Sequence, residues 1–357
     1  MRICIVAASR VPVAEPYSGG LEAHTGALTR SLVERGHQVS LFAAPGSDPR
    51  LGVVSELPVR RFVPSPQARA DVGAPPAAQV EEHHAYLGLM LDLARDGHER
   101  YDVVHNNSLH HLPVAMAPAL GVPLVTTLHT PPLALLESAI RLDGGTSSFV
   151  AVSDHTRRAW RHAVDATVVR NGVDTARWTP GPGGRRAVWV GRLVPEKAPH
   201  LAIRAALAAG YAIDLAGPVQ DQRYVRDHVA PLVDGSRVRH VGHLTGADLV
   251  RLVGGAAVAV VSPVWEEPYG LVAAEALACG TPVAAFRRGA LAEIVTPEVG
   301  ELAAPDDVDD LARAIRVAAT RERPAARRHA VSACSHETMV DAYERVYADL
   351  AGLRGAA

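Results

Sequence analysis

The stretch "AVAVVSPVWEEPYGLVAAEALACGTPVAAF", residues 257–286, contains the pattern on which the fold prediction depends. Residues 257–263 form a continuous apolar run, which is typical of a strand that is covered on both faces. A Pro-Tyr-Gly turn follows, and the alanine-rich segment after Gly270 favours a helix. The apolar run 281–286 predicts the next strand. A strand, a helix and a strand in this order are the repeating unit of a parallel α/β sheet.

The same unit recurs along the chain in two series. Strands are predicted at 2–8, 38–44, 102–107, 123–130 and 148–154, and again at 187–192, 212–217, 238–242, 257–263 and 281–286. Each series predicts a doubly wound parallel sheet, whose ligands bind beyond the carboxyl ends of the strands. The predicted fold class is therefore α/β, with two Rossmann-like domains that face each other across a cleft.

The composition of one short segment predicts where the two domains meet. Residues 177–186, "RWTPGPGGRR", contain two prolines and three glycines, which is typical of a linker. We expect an N-terminal domain over 1–175, a linker over 176–186 and a C-terminal domain over 187–337. An amphipathic helix is predicted over about 338–353 and is expected to pack back onto the first domain. Residues 64–79 have the composition of a mobile loop.

The bulk properties exclude several classes of protein. The formal net charge of −2 over 357 residues gives no electrostatic basis for binding nucleic acid or an anionic membrane surface. The first apolar stretch is about six residues long, too short for a signal peptide, and no apolar run reaches the roughly 18 residues of a membrane helix. Three scattered cysteines indicate free thiols in a reducing compartment. The predicted location is the cytoplasm.

Two carboxylates lie eight positions apart around the Pro-Tyr-Gly turn, Glu267 and Glu275. If the helix begins near Gly270, the amides of Gly270, Leu271 and Val272 form a phosphate site at its positive end. Carboxylates on either side of that site would accept hydrogen bonds from pairs of hydroxyl groups. The expected ligand has the order polyol, phosphate, polyol, which is the order of a nucleotide sugar.

Lysine occurs once in the chain, at Lys197, so 36 − 1 = 35 of the basic residues are arginines. A site that requires a compact ammonium charge instead of a planar guanidinium group explains why this lysine is present. Arg192 precedes it in "VGRLVPEK", residues 190–197. Both cations can converge on the same diphosphate.

Three further residues are candidate ligand contacts. Gly19 and Gly20 precede a predicted helix over 21–36, where the backbone can approach a pyrophosphate closely, although the pattern is not that of a dinucleotide-binding loop. His129 stands at the end of the strand predicted over 123–130, at the edge of the sheet where ligands are expected.

No metal site is expected. The stretch 105–111 contains three histidines, but no carboxylate joins them at the spacing of metal ligands. Asp307 and Asp309 precede a predicted helix, where carboxylates cap the helix N-terminus, so we assign them to capping and not to a metal.

Together these segments resemble the retaining glycosyltransferases of family 4, which have the GT-B fold. The resemblance extends over nearly the whole chain and includes "VVRNGVDTARWTP" near residue 170, "GRLVPEK" near residue 195 and "EPYGLVAAEALACGTPV". The last segment carries the family's E-x7-E motif as Glu267 and Glu275.

The resemblance implies a role for each matching residue. Glu275 would hold the ribose hydroxyls, Glu267 the hydroxyls of the donor sugar, and His129 would lie beside the sugar near its C6 end. The donor-binding residues that it implies are Gly19, Gly20, Arg192, Lys197, Gly242, Glu267, Tyr269, Gly270, Leu271, Val272 and Glu275, and the catalytic ones are His129, Arg192, Lys197 and Glu267.

The chain departs from the family pattern in "RRGALAEIV", residues 287–295. Ala292 replaces a proline that the family usually has, and Arg288 replaces one glycine of a Gly-Gly pair. These changes concern the shape of the sugar pocket.

The function that the resemblance implies is transfer of a hexose-type sugar, with retention and without a metal, from a nucleotide sugar to a hydroxyl of a soluble small-molecule acceptor. UDP is the expected nucleotide, and no cofactor beyond the donor is expected. Two alternatives remain open: another GT-B enzyme, such as a nucleotide-sugar 2-epimerase or a phosphorylase, and a non-catalytic GT-B subunit that binds a partner. The residues determine neither the acceptor nor the oligomeric state.

Overall fold

The computed structural model describes residues 1–355. Their contacts divide the chain into two compact units. Unit 1 consists of Met1–Val152, Arg157–Val169 and the chain from Val340 onward, and unit 2 consists of Ser153–Thr156 and Arg170–Met339. The predicted boundary at residue 175 therefore lies inside unit 2, whose main segment begins at Arg170.

Unit 1 contains a parallel sheet, which among the described residues has seven strands in the order β3-β2-β1-β4-β5-β6-β7. The strands are β1 (Arg2–Val6), β2 (Gln38–Phe42), β3 (Ser55–Leu57), β4 (Val103–Asn106), β5 (Leu124–Leu128), β6 (Ser148–Ala151) and β7 (Thr167–Val168). The helices up to this point are α1 (Gly20–Glu34), α2 (Pro66–Ala70), α3 (Ala77–Arg100), α4 (Leu112–Met116), α5 (Ala134–Asp143) and α6 (Asp154–Trp160).

The central strand of this sheet is β1, because its apolar sequence is buried between neighbours on both sides. Ile3 is paired with Val39 of β2 and with Val103 of β4, in parallel. The strand order reverses between β1 and β4. In sheets of this kind, ligands bind at the carboxyl ends of the strands near that reversal.

Unit 2 contains a second parallel sheet, of six strands within the described residues, in the order β10-β9-β8-β11-β12-β13. The strands are β8 (Ala187–Val190), β9 (Ile213–Ala216), β10 (Val238–His240), β11 (Val258–Val261), β12 (Val283–Phe286) and β13 (Gly300–Ala303). The remaining helices are α7 (Pro199–Ala208), α8 (Gln222–Tyr224), α9 (Gly246–Gly254), α10 (Leu271–Ala278), α11 (Leu291–Ile294), α12 (Val308–Ala318), α13 (Arg323–Ala333) and α14 (His336–Gly355). The prediction of two doubly wound parallel sheets is confirmed.

The last helix, α14, begins in unit 2 and packs against unit 1 from Val340 onward. Tyr343 and Tyr347 on this helix are fully buried. The Tyr347 hydroxyl lies 2.6 Å from Nδ1 of His105, and the Tyr343 hydroxyl lies 3.1 Å from Oγ1 of Thr127. Because His105 belongs to β4 and Thr127 to β5, the helix fixes the two strands that carry His129 and its surroundings.

The segment that was predicted as a linker is a packed part of unit 2. The amide of Gly183 donates to the carbonyl of Gly254 at 2.9 Å, and the amide of Gly181 donates to that of Cys279 at 3.1 Å. A Cβ atom at Gly181 would lie 2.4 Å from the Gly254 carbonyl. The glycines of this segment therefore allow two backbones to approach each other, and their presence does not indicate flexibility here.

The prediction of a mobile loop over 64–79 is wrong in part. Residues Pro66–Ala70 form α2, whose start is capped by the Ser65 side chain, which accepts a hydrogen bond from the Ala68 amide at 3.2 Å. Helix α3 begins at Ala77. Within residues 1–355, every helix is too short or too polar to span a lipid bilayer.

Candidate active site

The start of α10 lies beyond the carboxyl end of β11 and has the backbone geometry of an anion site. Gly270 precedes the helix in the left-handed region, with φ of 100°. A Cβ atom at this position would lie 2.7 Å from Cδ2 of Leu291, so only glycine fits. The amides of Leu271 and Val272 occupy the first turn, where a helix leaves its N–H groups without intrahelical partners. This end of the helix is suited to a phosphate group.

Glu267 is held ahead of this helix by the single lysine of the chain. Nζ of Lys197 lies 2.5 Å from Oε2 of Glu267, and Nε1 of Trp265 donates to the same oxygen at 3.1 Å. Nζ also lies 4.9 Å from the centre of the Trp265 ring. The Lys197 and Glu267 side chains are only 22% and 12% exposed, so this ion pair is largely shielded from bulk solvent.

The backbone of Glu267 packs against the loop that follows β12 and is hydrogen-bonded to it. The Ala290 amide donates to the Glu267 carbonyl at 2.8 Å. Gly289 is in the left-handed region with φ of 58°, and a Cβ atom there would lie 2.1 Å from the Glu267 carbonyl oxygen. A residue larger than glycine at position 289 would therefore displace the carboxylate that Lys197 binds.

The departure from the family pattern at Arg288 is accommodated to one side of this contact. Nη1 of Arg288 lies 3.3 Å from Glu266, and Nη2 pairs with Asp306. Glu266 also accepts a hydrogen bond from the Gly289 amide at 2.8 Å. The arginine thus contacts the carboxylates on either side of the loop and leaves Glu267 to Lys197.

Arg192 follows Gly191 at the carboxyl end of β8, which is the sheet neighbour of β11. Its side chain is 35% exposed, and its guanidinium group contacts Gln220 at 3.1 Å and Glu196 at 3.5 Å. The Glu196 carbonyl accepts a hydrogen bond from the Val264 amide at 2.9 Å, which joins the loop after β8 to the loop after β11. Arg192 and Lys197 are therefore carried by one loop that is bonded to the loop before α10.

Glu275 lies within α10, more than one turn beyond its start. Its side chain is partly buried. Burial raises the pKa of Glu275 to about 7, and the charge of Arg177 opposes this rise. The carboxyl group is therefore close to half protonated at neutral pH, and a ligand that hydrogen-bonds to the carboxylate would shift it to the ionised form.

Two other residues that were predicted to contact the donor differ from each other in their surroundings. Gly242 follows β10 with φ of 83°, and a Cβ atom there would meet nothing within 4 Å. Tyr269 is only 3% exposed, and its hydroxyl group lies beside the Cys334 thiol. The predicted contact of Tyr269 with the donor stays a prediction.

In unit 1, His129 follows β5 and its Nε2 lies 2.8 Å from Oδ1 of Asn107. The ring packs edge-on against His24 at 4.9 Å. Burial lowers the pKa of His129 well below its usual value, and the nearby His24 and His105 lower it further. His129 is therefore neutral at pH 7 and can act only through hydrogen bonds.

The start of α1 also lies in unit 1. The helix begins at Gly20, and Gly19 precedes it in an extended conformation with φ of −171°, which any residue adopts. A Cβ atom at Gly19 would lie 3.4 Å from Oε2 of Glu22, which is ordinary contact. The backbone geometry thus does not require glycine at position 19, and the predicted approach of a pyrophosphate to Gly19 and Gly20 stays a prediction.

The assignment of Asp307 to helix capping is confirmed. Its side chain accepts hydrogen bonds from the amides of Asp309 and Asp310, at the start of α12. Across the residues that the structure describes, histidine, cysteine and carboxylate side chains form no group of three or more that could hold a metal ion.

Sequence reasoning missed three residues that shape these sites. Trp265 hydrogen-bonds to Glu267, Gly289 supports its backbone, and Asn107 binds His129. The position of Trp265 two residues before Glu267 was the available signal, since residues two apart in extended backbone lie on one side.

Unit 2 therefore carries an ammonium group, a guanidinium group and a helix start at one edge of its sheet, with Glu267 before that helix and Glu275 within it. With a second doubly wound sheet in unit 1, this arrangement defines a glycosyltransferase of the GT-B class.

Comparisons with known proteins identify the family. The family models described as "Glycosyltransferase Family 4" and "Glycosyl transferases group 1" match residues 18–177 and 176–332. Glycogen synthase of Mycobacterium tuberculosis (strain CDC 1551 / Oshkosh) is 30% identical, over 99% of this chain and 96% of that protein. D-inositol 3-phosphate glycosyltransferase of Mycobacterium avium (strain 104) is also 30% identical, over 94% and 89% of the two chains. The protein belongs to glycosyltransferase family 4 and is a glycosyltransferase enzyme.

Solved structures show the same fold. Anabaena Alr3699/HepE in complex with UDP-glucose has a TM-score of 0.76 at 21% identity, over 97% of this chain and 99% of that one. AviGT4, a glycosyltransferase involved in avilamycin A biosynthesis, has a TM-score of 0.69 at 24% identity, over 98% of each chain. The GT-B fold is thereby confirmed.

Proposed function

We propose that this enzyme transfers a hexose-type sugar from a UDP-sugar to a hydroxyl group of a soluble small-molecule acceptor, with retention of the anomeric configuration and without a metal ion. The observation that carries the proposal is the contact of 2.5 Å between Lys197 and Glu267 beside the start of α10. This contact supports the proposal, because a carboxylate suited to sugar hydroxyls and a cation suited to phosphate lie side by side, as the two halves of a sugar diphosphate would require.

The charge on the departing diphosphate supports the assignment of roles. When the bond between the sugar and the diphosphate breaks, negative charge grows on the bridging phosphate oxygen. Lys197, Arg192 and the amides at the start of α10 supply positive charge at fixed positions, which is the role that a divalent cation has in other enzymes of sugar transfer. On this proposal the donor is a co-substrate and no further cofactor takes part.

The surroundings of Glu267 support retention without a covalent intermediate. A carboxylate nucleophile needs an oxygen that is directed at the anomeric carbon and not occupied by strong donors. Oε2 of Glu267 accepts hydrogen bonds from both Lys197 and Trp265, which lowers its nucleophilicity. On this proposal Oε1 accepts a hydrogen bond from a sugar hydroxyl, so neither oxygen of Glu267 is left to act as a nucleophile. The acceptor would then attack on the side of the leaving diphosphate, which takes up its proton.

The uridine nucleotide is supported by a structural neighbour, since the solved structure of Anabaena Alr3699/HepE contains UDP-glucose. Glu275, whose pKa of about 7 allows it to ionise when it is hydrogen-bonded, would hold the ribose hydroxyls. His129 and Gly20 would contribute contacts to the donor as the family resemblance implies.

Substitution of Lys197 tests the proposal. Lys197→Ala should keep the fold and lower turnover about 10²–10³-fold, the scale for removing one group that stabilises charge in the transition state. Arg223→Ala is the matched control, because this cation of unit 2 is 88% exposed and should leave turnover unchanged. The assay measures UDP release from UDP-glucose with and without EDTA in the presence of acceptors, and NMR gives the anomeric configuration of the product.

The outcomes separate this proposal from its competitors. Wild-type turnover by Lys197→Ala would refute the assignment of Lys197, and loss of activity with EDTA would refute metal independence. Conversion of the nucleotide sugar to its epimer without an acceptor would identify an epimerase. Thermal shifts with UDP, GDP, ADP and TDP identify the base, since a ligand at 100 times its Kd stabilises by about 2.7 kcal/mol.

A further inference from the structure

Unit 1 contains a cavity of about 600 Å³ beyond the carboxyl ends of β4 and β5. The loop after β4 contributes residues 109–111, the loop after β5 and the start of α5 contribute residues 133–136, and the first turns of α3 form the opposite wall. Its volume lies within the roughly 300–1,000 Å³ of small-molecule sites. Its position at the carboxyl ends of the strands is that of ligand sites in doubly wound sheets.

The rings of Tyr86, His110 and His111 form a stack that ends at this cavity. The rings of Tyr86 and His110 are stacked at 4.3 Å and 17°, and those of His110 and His111 at 4.5 Å and 22°. Tyr86 is fixed at the inner end of the stack, since its hydroxyl group donates to the Ala7 carbonyl at 2.9 Å. His110 and His111 both line the cavity. A planar ring in the cavity would extend this stack.

The polar groups of the cavity are suited to an uncharged ligand. The Leu112 amide donates to Nδ1 of His110 at 3.2 Å, so a neutral His110 carries its proton on Nε2 and offers a hydrogen-bond donor there. Burial lowers the pKa of His110 to about 3 and also lowers that of His111, so neither ring is cationic at pH 7. Glu82 adds a carboxylate, and none of the described lining residues is lysine or arginine.

Apolar side chains form the rest of the wall. Leu109 and Leu135 are 38% and 57% exposed, and they border the cavity together with the buried Leu136. A ligand with an apolar ring would cover these leucines, whereas a phosphorylated ligand would meet the Glu82 carboxylate and no lysine or arginine side chain.

We propose that this cavity binds the acceptor, and that the acceptor is an uncharged molecule with an aromatic ring and a free hydroxyl group. The inference rests on the proposed function for its use of an acceptor. The proposed acceptor differs in chemistry from the compounds that appear in the names of two relatives, a phosphorylated inositol and glycogen.

Direct binding to the full chain tests this inference without any transfer reaction. The probe is 4-methylumbelliferyl β-D-glucopyranoside, which is neutral, aromatic and fluorescent, and D-inositol 3-phosphate is the charged comparison. His111→Ala should weaken binding of the probe about 3- to 10-fold, the scale of one aromatic pair, while His111→Phe should retain it. Leu135→Arg should weaken it at least as much. Leu142→Arg is the matched control on α5, because Leu142 is 78% exposed and lies outside the cavity lining.

UDP binding by each variant verifies that the variant is folded. Absence of probe binding to the wild type, or equal binding by Leu135→Arg and Leu142→Arg, would overturn the inference while leaving the proposed function intact. Tighter binding of D-inositol 3-phosphate than of the probe, weakened by His111→Ala, would also overturn it. The variants could bind the probe as expected while the enzyme transfers no sugar from any nucleotide sugar. That result would support the proposed class of ligand, and it would refute both the proposed function and the role of the cavity as an acceptor site.

Discussion

Donor binding should depend on pH through Glu275, and the dependence can be calculated from the structure. Burial raises the pKa of this carboxyl group from 4.5 to about 7 in the free protein. If the ribose hydroxyls hydrogen-bond to the carboxylate, only the ionised form binds the donor well, and the pKa falls on binding. The apparent Kd is then multiplied by 1 plus the ratio of protonated to ionised Glu275.

With a pKa of about 7, this factor is about 1.1 at pH 8, about 2 at pH 7 and about 11 at pH 6. The affinity should therefore fall about tenfold between pH 8 and pH 6, or about 1.4 kcal/mol. At pH 7 about half of the free protein carries the proton, so binding should release about 0.5 proton. Glu275→Gln cannot ionise, and its affinity should be low and nearly constant over the same range.

Isothermal titration calorimetry with UDP-glucose measures both quantities, since the diphosphate diester of this donor has no group that protonates between pH 6 and pH 8. Repeating the titration in buffers of different ionisation enthalpy gives the number of protons released. Glu322→Gln is the control, because it removes an exposed carboxylate of the same unit and should retain the wild-type pH dependence. Equal pH dependence in the wild type and in Glu275→Gln would show that the reasoning is wrong, as would proton uptake on binding.

Two further predictions concern the supports of the site. Gly289→Ala should destabilise unit 2 by more than about 2 kcal/mol and weaken donor binding, because its Cβ would lie 2.1 Å from the Glu267 carbonyl. The control is Gly235→Ala, where φ is 75° and no atom lies near the added Cβ, and it should lower the free energy of unfolding by only about 1 kcal/mol. Equal losses of stability in urea denaturation would contradict the argument. Asp307→Ala should lower the free energy of unfolding by about 1 kcal/mol, because it removes a helix cap that accepts hydrogen bonds from two amides. Asp309→Ala should lower it by less. The reverse order in the same assay would exclude capping by Asp307.

In the described structure the predicted strands lie in the interior of a sheet, except β10, which is an edge strand of the second sheet. Three short strands were not predicted: β3 and β7 at the two edges of the first sheet, and β13 at one edge of the second. An edge strand has a neighbour on one side only, so it can be short and polar, as "SEL" in β3 is. Such a sequence carries no burial pattern from which a strand could be recognised.

The sequence predicted which residues belong to the candidate site, but it did not predict which of their side chains contact each other. The amides at the start of α10 and the flanking carboxylates follow from local sequence, because a glycine turn and a helix start are properties of neighbouring residues. Lys197 was expected to bind only the diphosphate, whereas its ammonium group contacts Glu267, 70 positions away in the sequence. That distance depends on the pairing of β8 with β11, which no local pattern specifies.

The sequence by itself determined the elements of this protein: apolar runs of strand length, a helix that must begin after Gly270, and one lysine among 36 basic residues. The tertiary structure decided which of these elements meet. It buried the ring of Tyr269, brought Gly289 against the backbone of Glu267, and packed the apparent linker against Gly254. The physical reason is that hydrogen bonding and burial along a few residues act within one element, whereas the distance between two side chains is set by the register and order of whole strands.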